Sequence, residues 1–193
     1  MFQVRIHGRG GQGVVSGAEM LSIAAFLEGR HAQAFPSFGS ERMGAPVTAF
    51  CRIDDEIIQL REPVSEPDAL IIQDPTLLHQ IDLFKGLQRE GFVLINSTRT
   101  LDALGLNDLA NGARRLRVLT VPASELALKH VGRPLPNAAL LGGFAAMTAE
   151  IELQSVVGAI RDRFPHNIAA GNIAAATEAF SIAAQRNKEN ADA

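Results

Sequence analysis

Tryptophan and tyrosine are both missing from the 193 residues, and cysteine occurs once. Without tyrosine, one common general acid is unavailable. The single Cys51 excludes an intrachain disulfide framework, a cysteine-rich zinc site and a self-contained iron–sulfur cluster. No apolar run approaches the ~20 residues that cross a bilayer, and the amino terminus MFQVRIHG lacks the long apolar segment of a secretory leader. A cytoplasmic chain with no membrane partner is expected. The net charge of −3 supplies no basic surplus for a polyanion, so no nucleic-acid partner is expected either. The five histidines, His7, His31, His79, His130 and His166, are scattered and form no group with cysteine or acids at ligand spacing. No metal site is predicted. Lysine is also missing from residues 1–53, where Arg5, Arg9, Arg30, Arg42 and Arg52 stand against only Glu19, Glu28 and Glu41. Arginine suits forked contacts to phosphate or carboxylate, and buried subunit contacts.

What is present fits one α/β domain. The length suits a single core. FQVRIH (2–7) alternates as a strand, a glycine-rich turn follows, and the apolar spacing of 14–29 predicts a helix. HAQAF (31–35) reads as a second strand and 36–46 as a loop rich in glycine, proline and serine. VTAFCRI (47–53) alternates strongly, with Val47, Ala49, Cys51 and Ile53 on one side, and DDEIIQL reads as its return strand, giving a hairpin over 47–60. Strands are expected at 69–74, 92–97 and 114–123, with a helix over 75–91. From Pro136 onward the pattern is helical. The expected architecture is a doubly wound, mostly parallel sheet of Rossmann or flavodoxin type, with an antiparallel hairpin insertion and C-terminal helices. The domain is placed at residues 1–185, followed by a flexible polar tail over 186–193.

The turn after the first strand, Gly8-Arg9-Gly10-Gly11-Gln12-Gly13, contains the G-x-G-x-x-G spacing. Such glycines let the chain turn tightly, let a ligand approach the amides, and place the positive end of a helix beside it. A dinucleotide site also needs an acid at the end of the second strand to hold the ribose. Here that strand ends near Phe35, followed by Pro36 and Ser37, and Glu19 and Glu28 fall inside the helix. No Walker lysine follows the loop. A purely structural turn and a ligand-facing one both remain open on these residues. His7 and Cys51 read as buried structural residues, and Asp74 as a helix cap before Pro75.

Two segments together carry a resemblance. GRGGQGVVSGAEML, followed some twenty residues later by FPSFGSERMGAPVTAFCRIDDEII, resembles the γ subunits of 2-oxoacid:ferredoxin oxidoreductases, of the pyruvate synthase γ type. The hallmarks are the G-x-G-G-Q-G loop at Gly8–Gly13 and the Gly-x-Glu-x-x-Gly segment Gly39-Ser40-Glu41-Arg42-Met43-Gly44. RPLPNAALLGGFA (133–145) matches the family's late Asn-then-Leu-Gly helix, with Asn137 in the Asn place. The likeness runs over roughly residues 2–182. Met43 and Phe38 depart from the common pattern, which has Arg or Gly at the first and Tyr at the second.

The resemblance implies a subunit without catalytic residues of its own. The complex would convert a 2-oxoacid and coenzyme A to acyl-CoA and CO2. Thiamine diphosphate with Mg2+ and the [4Fe–4S] clusters would sit on alpha, beta and delta-type partner chains. Ferredoxin, or NAD through a further subunit, would take the electrons. It also implies that Gly8, Arg9, Gly10, Gly11, Gln12, Gly13, Ser40, Glu41, Arg42, Gly44 and Asn137 face the neighbouring catalytic chain or the coenzyme A phosphates. A free-standing nucleotide-binding regulatory domain is the alternative reading, with a solitary Rossmann-type dehydrogenase behind it.

Overall fold

A computed structural model describes residues 1–37, 43–111 and 115–191. Its frame is one six-stranded sheet in the order β2-β3-β1-β4-β5-β6. The strands are β1 (Phe2–Arg9), β2 (His31–Pro36), β3 (Pro46–Asp54), β4 (Ala69–Ile72), β5 (Phe92–Asn96) and β6 (Arg117–Val121). β1, β4, β5 and β6 run parallel to one another, whereas β3 lies antiparallel to both β1 and β2. The helices are α1 (Val14–Leu27), α2 (Asn107–Asn111), α3 (Ala123–Val131), α4 (Asn137–Thr148), α5 (Leu153–Arg163) and α6 (His166–Ala191). The α/β class and the mostly parallel sheet are as the sequence predicts.

Strand alternation sorts side chains to two faces. Val4 and Ile6 of β1, Ala49, Cys51 and Ile53 of β3, Ala69 and Ile71 of β4, and Leu94 of β5 point to the face that carries α1, α3, α4, α5 and α6. α4 is the central helix there and is buried nearly all round. Glycine at 142 lets α6 close on it: a Cβ at that position would overlap the carbonyl of Ala176. Leu70, Ile72, Val93, Ile95 and Val118 point the other way, under Leu77, Leu83, Leu87, Leu104 and Leu116. These covering leucines lie in turns and irregular chain, not in the long helices that a doubly wound sheet carries on its second face.

Three expectations need correction. The antiparallel hairpin is β2–β3, and residues 55–60 form no return strand. Both edges of β3 are already filled, by β1 and β2, and the Asp54 side chain ends the strand by accepting the N–H groups of Asp55 and Glu56. The helix expected over 75–91 is only a 3-10 turn, Pro75–His79, followed by irregular chain. A helix would reserve the carbonyls of Leu83 and Lys85 for N–H groups four residues on. Here the Arg5 guanidinium takes both, at 2.8 Å each. Finally, the polar segment after residue 185 continues α6 to Ala191. Arg186 donates to the carbonyl and hydroxyl of Thr120, and Asn187 donates to the Ala146 carbonyl at 2.9 Å.

Candidate functional site

The carboxyl ends of parallel strands are where open α/β sheets hold ligands, especially where the chain's course reverses. β1 is that strand here: the chain leaves it for one sheet edge through α1, β2 and β3, then returns to start β4 on its other side. The glycine loop sits at this point. Gln12 N–H donates to the Arg9 carbonyl at 3.0 Å, and Gln12 Oε1 accepts the Arg9 N–H at 2.8 Å, closing a compact turn. Gly11 and Gly13 have φ of 91° and 74°, where a Cβ is strained. At Gly13 a Cβ would also lie 2.6 Å from Asn137 Nδ2.

Gly13 is the residue before α1, and among the described residues no side chain caps that helix and no acid lies in its first turn. The helix therefore presents its N–H groups and the positive end of its dipole to a cleft of about 470 Å³. Arg9, Gly10, Gly11, Gly13, Ser16 and Met43 are among its walls. Gly10 also receives the second hallmark segment: its N–H donates to Ala45 at 2.9 Å, and its carbonyl accepts from Gly44 at 3.1 Å. The structure thus brings Gly44 onto the loop. Ser40, Glu41 and Arg42 lie outside the described residues. Asn137, buried at the start of α4, donates to the Gly13 carbonyl at 3.4 Å and braces the turn from behind.

Arg9 and Gln12 turn toward β4. Arg9 Nε donates to Asp74 Oδ2 at 3.1 Å, and Gln12 Nε2 donates to the same oxygen at 2.9 Å. Arg9 Nη1 reaches the Gly44 carbonyl, and Nη2 reaches Thr76 Oγ1 and Gln80 Oε1. Four of the five guanidinium N–H groups are thereby used inside the chain. The other Asp74 oxygen accepts from the N–H and hydroxyl of Thr76, so the expected cap is present as well. Burial alone would raise the Asp74 carboxyl. The hydrogen bonds from Thr76 and Gln12 and the charge of Arg9 outweigh it and hold the group below the usual carboxylate range. The role of Asp74 as anchor is what the sequence did not disclose, because its partners lie 62 and 65 residues away.

Two other residues resolve as buried structure. His7 Nε2 lies 3.0 Å from Arg5 Nε, which can only donate, so the proton resides on Nδ1 and points to Thr48 Oγ1. Burial, aided by the Arg5 charge, pulls the imidazole down to about 3. Burial pushes the Cys51 thiol up. Neither is poised for chemistry at neutral pH. Among the described residues no group of histidine, cysteine and acids can hold a metal ion, and no helix is long and apolar enough to cross a membrane.

The topology also bears on the nucleotide-domain alternative. A dinucleotide-binding unit needs the strand after the first helix to lie parallel beside β1. Here α1 leads to β2, and antiparallel β3 stands between β2 and β1. The result is an α/β domain with a glycine-framed helix terminus, two strands inserted beside it and a buried Asn-led helix behind it. The family model described as pyruvate ferredoxin/flavodoxin oxidoreductase matches residues 3–182, and the chain belongs to that family. It is 48% identical over 161 residues to a pyruvate synthase subunit PorC of Methanosarcina barkeri, covering 83% of this chain and 85% of the relative. It is 43% identical over 180 residues to the pyruvate/ketoisovalerate oxidoreductases common subunit gamma of Pyrococcus furiosus, covering 93% and 96%. The crystal structure of pyruvate oxidoreductase subunit PORC from Thermotoga maritima superposes with a TM-score of 0.80 at 32% identity, covering 93% of this chain and 95% of that one. A 2-oxoglutarate:ferredoxin oxidoreductase from Magnetococcus marinus shares the fold, with a TM-score of 0.70 at 15% identity, over 94% of this chain and 31% of that one.

Proposed function

We propose that this chain works as the γ-type subunit of a multi-chain 2-oxoacid oxidoreductase, docked on alpha, beta and delta-type chains that carry the redox chemistry. The reaction converts a 2-oxoacid and coenzyme A to acyl-CoA, CO2 and a proton, with two electrons passed to an acceptor such as ferredoxin, or to NAD through a further subunit. Thiamine diphosphate with Mg2+ and [4Fe–4S] clusters would supply carbanion formation and electron transfer. The donor chemistry of this chain does not fit those groups: its one cysteine is buried, and the described acids and histidines form no ligand cluster. They are assigned to the partners.

The observation that carries the reading is the cleft at the start of α1, where glycines and uncapped helix N–H groups converge with no acid among the described residues. That chemistry accepts an anion. Within this reaction the polyanionic participant is coenzyme A, so the loop is assigned its phosphates, with the neighbouring catalytic chain closing the open side. Names among the relatives point to pyruvate as the first 2-oxoacid to test. The decisive experiment places a carboxylate in the cleft. Ser16→Glu puts an acid in the first turn of α1, where a helix tolerates it well. The assembled complex should keep its composition while the KM for coenzyme A rises about tenfold and the KM for the 2-oxoacid stays put. An unchanged coenzyme A KM would remove the cleft from this role. Loss of assembly would assign it to the subunit interface instead.

A further inference from the structure

The Arg9–Gln12–Asp74 cluster gives the loop a second layer of organisation. An arginine in a phosphate-binding loop would ordinarily be assigned to the phosphate. This one spends four of its N–H groups on Asp74, Gly44, Thr76 and Gln80, and its side chain is 22% exposed. Asp74 in turn spends both oxygens: one on Arg9 and Gln12, the other on Thr76. The two ends of the turn at residues 9–12 are therefore fixed to a single carboxylate at the end of the adjacent strand. The Gln12 amide is used twice, gripping the Arg9 backbone with its oxygen and Asp74 with its nitrogen.

Resting on the coenzyme A reading above, we infer that Asp74 is a positioning residue for the anion cleft. It occupies the guanidinium of Arg9, a residue that lines the cleft, and holds the Gly10–Gly13 backbone in the shape that receives the phosphates. The anion is then recognised by main-chain N–H groups and the helix dipole, and the guanidinium acts as a brace. Preorganisation of this kind acts on ligand affinity, because the loop does not have to be ordered when the ligand arrives.

The two roles for Arg9 predict opposite signs. Asp74→Asn keeps an oxygen for Thr76 but turns a donor toward Arg9 and Gln12, which are donors themselves. If Arg9 is a brace, Asp74→Asn and Arg9→Ala each raise the coenzyme A KM of the assembled complex about tenfold, with kcat at saturating coenzyme A within about twofold of wild type. The double variant then falls no further than the worse single one, since both break one network. If Arg9 instead ligates a phosphate, Asp74→Asn releases it and lowers the KM while Arg9→Ala raises it, and the inference is overturned. A wild-type KM for Asp74→Asn beside a raised KM for Ser16→Glu overturns it too, leaving Asp74 as a cap alone and the coenzyme A reading intact. A wild-type KM for Ser16→Glu removes that reading, and loop positioning is then judged by hydrogen exchange in the full-length chain. Faster exchange of the residue 9–13 amides in Asp74→Asn, with α5 unchanged, upholds it; unchanged exchange refutes it.

Discussion

The two faces of the sheet solve the same burial problem by different means. One face is covered by five helices whose alanines and leucines recur at helical spacing. The other divides in two. Above β4–β6 it is as dry as the first, but its cover is turns and irregular chain held by Leu77, Leu83, Leu87, Leu104 and Leu116. Above β1 and β3 it is polar, with Arg5, His7, Thr48 and Arg52 bonded to one another and to nearby chain. Burial depends on filling space and satisfying polar groups, and helices are one way among several of doing so.

The largest effect is expected on the helical face. Gly142→Ala forces a methyl against the α6 backbone, which cannot rotate aside as a side chain does. The variant should lose upward of about 4 kcal/mol; a melting temperature within about 2 °C of wild type would show that the helix pair has slack. On the irregular face, Leu83→Ala empties a fully buried site. A loss of about 3 kcal/mol in urea unfolding would place its packing on a par with a helical core, and a loss below about 1 kcal/mol would mark the cover as loose.

The comparison also explains what the sequence disclosed. The span of α1 and the helical character from Pro136 onward were legible because apolar residues fill those segments, although α6 runs on past residue 185. Residues 75–91 misled because Leu77, Ile81 and Phe84 recur as if on a helix, yet Ile81 is 40% exposed while Leu77 and Leu83 are buried. What decides that segment is Arg5, some eighty residues away, taking its carbonyls. The site divides the same way. The glycine loop could be read from its own spacing, since turn geometry is a local matter, whereas Asn137 was named by the family resemblance. The contact of Asp74 with the loop depends on β1 and β4 lying side by side, which no local pattern encodes.

The polar half of the second face is open to a pH test. The imidazole of His7 sits at about 3, below its ordinary 6.5. The unfolded chain therefore binds a proton that the folded chain refuses, and stability present above pH 6.5 is lost as pH falls toward 3. Between pH 7 and 5 this one group should remove about 2 kcal/mol. Urea titrations of wild type and His7→Gln at both pH values check it; equal pH slopes for the two proteins would assign the acid sensitivity elsewhere. The smallest effect is expected at Arg52. It is 1% exposed, with Nη1 unpartnered among the described residues and the guanidinium 5.3 Å from the Phe35 ring. Burial lowers its pKa, against the pull of Glu62. Replacing a buried charge by an apolar chain of like length is close to neutral. Arg52→Met should lie within about 1 kcal/mol of wild type, and a loss of about 3 kcal/mol would show that its bonds to Gln3 and Glu62 outweigh the cost of hiding the charge.

The 26 residues of α6 follow every strand of the sheet in the chain, and they supply Ala175, Ala176, Ala179 and Ala183 to the helical core. Until they emerge, the buried faces of α4 and of strand β6 lack their lid. A growing chain thus carries this apolar surface bare until α6 has been made. Removing α6 should therefore leave α4 and β6 exposed and the rest of the domain prone to aggregate.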